Sequence, residues 1–215
     1  ARGYEIDEHY GNEAQRLWRN QPLEVTIEDF TVAAPPENET DRYNLIICNP
    51  PYVRHHHLKA ENKKRLQSLV AASCGIYLSG LSGLYVYFLL LAHNWLRKGG
   101  IAGWLVPSEF MDVNYGQGIR DYLTSQVTLL EIHRFDPEEV QFDDALVSSA
   151  LVWLRNEKPP EAHRVMFSQG GSLDQPQHDQ KLSLTDLKKE NKWTRFPRNG
   201  VRVIDQDALR ISDLF

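Results

Sequence analysis

The sequence predicts an α/β fold, a mostly parallel sheet with helices on both faces and an antiparallel hairpin at its edge. Apolar runs of strand length at residues 23–27, 45–48 and 101–106 alternate with helical patterns ending near residue 18 and over 59–72 and 84–96. The runs stop at acids, asparagine or proline, the residues that punctuate strand ends. One pair of runs, 127–133 and 146–154, has no helical pattern between its members, which is the mark of an antiparallel pair.

Taken in order, residues 1–6 read as the end of a strand, and Asp7 or Glu8 opens a helix to about Trp18. Residues 23–27 form a second strand ending in Glu28, Asp29 and Phe30, and 33–42 are a polar, proline-containing loop. Residues 45–48 form a third strand. Helical period returns over 59–72, a Gly- and Ser-rich loop follows over 73–83, and 84–96 is an apolar helix stopped by Arg97, Lys98 and the Gly99–Gly100 pair. Residues 101–106 are a buried strand, 115–125 a helix, and the two late runs complete the sheet. After Lys158-Pro159-Pro160 the composition turns polar, so 168–180 reads as loop or linker.

The bulk numbers fit one soluble α/β domain and part of another: 215 residues, 41% hydrophobic and 25% charged. The longest apolar run, 85–92, is too short to span a membrane, and no secretory signal opens the chain. Two cysteines, Cys48 and Cys74, are too few for a disulfide framework, so a cytoplasmic setting is expected. The net charge of −5 gives no global basic surface, yet Arg54, Lys59, Lys63, Lys64 and Arg65 cluster with only Glu61 among them.

That basic stretch follows the most informative residues of the chain, Asn49-Pro50-Pro51-Tyr52. Prolines 50 and 51 have no N–H for a ladder, and each proline pushes the residue before it out of the helical region. The chain is therefore held extended at the carboxyl end of a strand, where open α/β sheets bind ligands. Asn49 offers a side-chain carbonyl, Pro50 a backbone carbonyl and Tyr52 an aromatic face. Such a ledge suits a flat ring that carries an amino group. Two acceptors on one amino group can draw its nitrogen towards a pyramidal geometry and free the lone pair for attack, without a strong base.

This segment resembles the Asn-Pro-Pro-Tyr motif of amino-group methyltransferases that use S-adenosylmethionine, above all the N6-adenine DNA methyltransferases of restriction–modification systems. The resemblance covers most of residues 1–155 and implies a Rossmann-like methyltransferase sheet. It also implies double-stranded DNA as partner, a flipped adenine as target, and association with a restriction endonuclease subunit or a fused nuclease domain. The alternatives are an amino-group methyltransferase for a protein glutamine or an RNA base, and a non-catalytic DNA-binding subunit of the same fold.

Other residues take roles within that frame. An acid at a strand tip can accept from ribose hydroxyls, and the resemblance puts that role on Glu5, with Ile6 against the cofactor's adenine. Asp29 can accept from the amino group of that adenine and Phe30 can cover its ring. Phe142, before the last strand, is implied to stack on the target base opposite Tyr52. Arg54, His55, His56, His57 and Lys59 are candidate DNA contacts. The three histidines are not read as a metal site, because neighbours in an extended chain point to opposite faces and no Cys or carboxylate stands at ligand spacing.

The Gly-rich loop expected one helix before Glu5 has no match in the chain. Residues 1–158 are therefore read as a catalytic domain lacking its first strand and that loop, and 159–215 as a linker and the start of a target-recognition domain. Cofactor motifs before the catalytic motif, with recognition last, is the order of the γ class.

Overall fold

In the computed structural model, residues 1–136 and 148–198 are described. The chain opens with a β-α-β unit. Strand β1, Arg2–Glu5, is followed by helix α1, Glu8–Trp18, and by strand β2, Glu24–Ile27, which pairs with β1 in parallel. Asp7 starts α1 as its N-cap, its carboxylate accepting from the amides of His9 and Tyr10. Gly11 is the buried residue of α1 because a Cβ there would stand 2.7 Å from the Ile27 side chain.

The remaining strands form a second sheet. They are β3 (Tyr43–Cys48), β4 (Leu96–Pro107), β5 (Thr128–Arg134), β6 (Ser149–Arg155), β7 (Arg164–Gly171) and β8 (Pro176–Ser183), in the order β3-β4-β6-β5-β7-β8. The β3–β4 and β5–β7 pairs are parallel, while β6 lies antiparallel between β4 and β5, and β8 is antiparallel to β7. Helices α2 (Ala60–Cys74), α3 (Leu84–Leu91), α4 (Gln117–Ser125) and α5 (Leu184–Lys189) pack around it.

Helix α3 is apolar on every side, and Tyr85, Val86, Tyr87, Leu89 and Leu90 are all buried, as expected of a helix enclosed by its neighbours. The core runs from α3 through Trp104, Phe110, Tyr122 and Ile132 to Phe167, Trp193 and Phe196. Among the described residues, no helix is long and apolar enough to cross a membrane.

The α/β class is as predicted, and three local expectations are corrected. The antiparallel pair β5–β6 lies inside its sheet rather than at the edge, because β7 joins β5 on its far side. Residues 168–180 are not a loop: they contain most of the β7–β8 hairpin, whose polar residues are tolerated because β8 is the edge strand. Leu182, Leu187, Trp193 and Phe196 join the common core. Finally, the apolar helix ends sooner than predicted. It stops at Leu91, and β4 already begins at Leu96. Residues 97–100 are absorbed as an irregularity in the β3–β4 register, with Gly99 at φ 74°, so the glycines bend a strand rather than stop a helix.

Candidate active site

Asn49 follows the last residue of β3, and Cys48 pairs with Trp104 of β4. The Asn-Pro-Pro-Tyr segment therefore leaves the sheet alongside the final residues of β4. Pro50 is buried, while Asn49 is exposed. Tyr52 is half-buried, and its hydroxyl donates to the Leu105 carbonyl at 3.0 Å, so the ring is held across the end of β4. Burial pushes the Tyr52 phenol above its ordinary range.

Beyond Tyr52 is a cavity of about 250 Å³ whose walls include Tyr52, Arg54, Tyr85, Pro107, Glu109 and Ser148. Its floor is the 3-10 turn Ser108–Met111, which follows β4 directly. The turn is fixed from below by Arg120 of α4, which is buried and donates to the carbonyls of Phe110 and Val113 at 2.6 and 3.0 Å. A Cβ at Gly116 would stand 2.2 Å from the Phe110 carbonyl oxygen, so glycine lets the chain close over this turn. The Ser108 amide donates to the Ser148 carbonyl at 2.8 Å and joins the floor to the chain entering β6.

Glu109 is exposed. The Tyr85 hydroxyl lies 3.5 Å from one of its carboxylate oxygens, and Tyr115 is close enough to feel its charge. The carboxylate and burial together raise both phenols, burial being the larger cause. Sequence reasoning took residues 105–108 as core and missed Glu109. A polar residue just past a strand end, on the strand next to the motif, was the signal available.

The residues expected to hold the cofactor lie at the tips of β1 and β2. Glu5 pairs with Ile27, and the Glu28 amide donates to the Glu5 carbonyl at 2.9 Å, so the two tips are adjacent. One oxygen of Glu5 accepts from the Asp7 amide and one of Asp29 from the Thr31 amide, each at 2.8 Å. The second oxygen of each remains for a ligand. Two half-buried carboxylates with a spare oxygen apiece are an acceptor set that fits the donating hydroxyl and amino groups of a nucleoside.

Ile6 is exposed beside them. Phe30 stands in an aromatic cluster with Tyr4, Phe88 and Trp95, at centroid distances of 5.2–5.7 Å across its three contacts. It lines a second cavity of about 530 Å³ between the loop after β2 and helix α2, where Arg65 donates to the Thr31 carbonyl and hydroxyl. Neither of these two cavities brings Glu5, Ile6, Asp29 and Asn49 together, and β1 and β2 belong to a different sheet from β3.

His55, His56 and His57 form a 3-10 turn, not the extended run assumed from sequence, and the rings of His56 and His57 are 4.1 Å apart. His56 titrates below the usual histidine range, first from local desolvation and then from the charges of His57, His55, Arg54 and Lys63. Arg54, His56, His57, Lys59 and Lys64 are exposed. Among the described residues, no group of three His, Cys, Asp or Glu could hold a metal ion. Phe142 lies outside the described residues.

The family model described as Eco57I restriction-modification methylase matches residues 4–141, from β1 through the candidate site. The chain belongs to the Eco57I restriction-modification methylase family. It is 27% identical over 210 residues to the type II methyltransferase M.AccI of Acinetobacter calcoaceticus, covering 91% of this chain and 37% of that protein. It is 30% identical over 199 residues to the type II methyltransferase M.XamI of Xanthomonas campestris pv. amaranthicola, covering 92% of this chain and 34% of that one. This family member thus spans about a third of the length of those curated relatives. Its fold matches that of a Listeria monocytogenes protein assigned as a class I S-adenosylmethionine-dependent methyltransferase, with a TM-score of 0.62 and 16% identity over 82% of this chain and 51% of that one.

Proposed function

We propose that this chain carries the catalytic segment of an S-adenosylmethionine-dependent DNA methyltransferase that modifies the N6 amino group of a flipped adenine in double-stranded DNA, within a restriction–modification system. The observation that carries the reading is Asn49-Pro50-Pro51-Tyr52 at the carboxyl end of β3, with Tyr52 forming one wall of a cavity beside it. Family membership supports DNA over a protein glutamine or an RNA base as substrate, and supports an endonuclease, separate or fused, as partner.

Asn49 and Pro50 accept the two N–H groups of the target amine through the side-chain and main-chain carbonyls, and Tyr52 holds the base by stacking. Glu5, Ile6 and Asp29 hold the nucleoside part of the cofactor, with Phe30 beside it. When bound, S-adenosylmethionine supplies an electrophilic methyl group on a sulfonium. The chain's own part is to orient the amine and to present fixed dipoles to it. Arg54, the His55–His57 turn and Lys59 face the DNA backbone, where cations supply affinity without reading sequence. Phe142 serves as the second stacking face.

The test is Asn49→Ala in the intact protein, with methyl transfer to unmethylated DNA and cofactor affinity measured side by side. Transfer should be abolished with affinity largely kept. Activity within a few-fold of wild type would rule out the mechanism.

A further inference from the structure

We propose that Glu109 is a further catalytic residue, the carboxylate that faces the amino nitrogen as it becomes cationic and then accepts its proton. This inference rests on the function proposed above and adds to it the group that completes the reaction.

The charge balance of the reaction calls for such a group. A neutral amine that gains a methyl group from a sulfonium leaves a neutral thioether and carries the positive charge itself. Its carbon–nitrogen bond is made from the nitrogen lone pair, and the carbon–sulfur pair returns to sulfur. To finish, one N–H bond must break, its electron pair staying on nitrogen and its proton passing to a base. The two carbonyls at Asn49 and Pro50 can hold the N–H groups but are too weakly basic to keep a proton. A carboxylate can take it, and in a partly enclosed cavity it also stabilises the cation before the proton moves.

Glu109 shares a cavity with Tyr52 of the motif and is exposed. It lines the cavity that Tyr52 walls, and it lies two residues beyond Pro107, the last residue of the strand to which the Tyr52 hydroxyl is anchored. Its 3-10 turn is fixed by Arg120 and by the Ser108–Ser148 hydrogen bond, so the side chain projects from a held backbone. Around the carboxylate stand Tyr85 from α3, Tyr115 from the turn before α4, and Arg54 from the loop after β3. The Tyr85 hydroxyl lies 3.5 Å from it. Among the described residues no Lys, Arg or His forms an ion pair with it. A carboxylate beside a substrate cavity, flanked by neutral phenols and lacking a cationic partner, gains most when the cation arrives with the substrate. Its exposure then lets the proton leave to solvent.

The experiment compares wild type with Glu109→Gln, which keeps the shape and removes the charge. Binding to the intact protein is measured for two purine ribosides, one with a trimethylammonium group at carbon 6 and one with a neutral dimethylamino group there. Wild type should prefer the cation by about tenfold, equivalent to about 1.4 kcal/mol, and Glu109→Gln should lose the preference. The single-turnover rate of methyl transfer to unmethylated DNA should fall at least tenfold in Glu109→Gln and partly recover in Glu109→Asp, with S-adenosylmethionine affinity unchanged. No cation preference in wild type, an equal preference in Glu109→Gln, or a Glu109→Gln rate within twofold of wild type would each overturn the assignment. Wild type separates the two claims: if it does not methylate adenine in unmethylated DNA, the functional reading fails, whereas normal wild-type methylation left intact by Glu109→Gln overturns only the role of Glu109.

Discussion

Phe167→Ala tests whether the chain after residue 158 belongs to the same folded body as the catalytic segment. Phe167 lies in β7, is fully buried, and meets Trp193 and Phe196 edge-on at centroid distances of 5.9 and 5.8 Å. Truncating a buried phenylalanine to alanine costs about 3–5 kcal/mol, and each lost aromatic pair adds roughly 0.5–1.5 kcal/mol. The upper end of the first range is therefore expected, about 4–5 kcal/mol. For a chain of this size that corresponds to a fall in Tm of roughly 8–20 °C. Urea unfolding followed by tryptophan fluorescence reads it directly, since the Trp193 indole, whose N–H donates to the Leu187 carbonyl at 3.0 Å, sits in the affected cluster. One cooperative transition shifted by that amount is the expected result. A linker residue would move stability by no more than about 0.5 kcal/mol, so a loss below about 1 kcal/mol would refute the packing argument.

Two further predictions concern the cofactor residues and pH. Glu5→Ala and Asp29→Ala should each weaken S-adenosylmethionine binding to the intact protein by roughly 1.5–3 kcal/mol, the value of a charge-assisted hydrogen bond. Isothermal titration measures this, and unchanged affinity in both variants would move the cofactor elsewhere. His93 and His133 are held below the usual histidine range, chiefly by burial. The unfolded chain therefore binds more protons than the folded one as pH falls below about 6.5. Stability present above that pH should decline with acidification until the folded-state values are passed, by at most about 1.4 kcal/mol per pH unit for each histidine. His133→Asn should flatten the acid side of a Tm-against-pH curve, and an identical curve would exclude His133 as a contributor.

The backbone of the Asn-Pro-Pro-Tyr segment was legible because its constraints are local. Two prolines and the asparagine before them dictate an extended exit from β3 whatever surrounds them, and the structure puts that exit at the strand's carboxyl end. The tip acids Glu5 and Asp29 were legible for the same reason, since each lies just past an apolar run, and α1 begins at the predicted cap. What sequence could not supply was the partner across space. Glu109 is separated from Tyr52 by more than fifty residues and enters the cavity only because β4 lies beside β3 in parallel. The inner position of β6 and the sheet role of β7 and β8 were hidden likewise, because strand order depends on long-range hydrogen bonds that leave no periodic trace. The polar letters of β8 looked like a loop, and an edge strand with one side to solvent tolerates them. The sequence alone thus determined the local backbone and the chemical groups of the motif. Tertiary structure decided which distant groups face them, because side-chain proximity in a sheet is set by strand order and register rather than by separation along the chain.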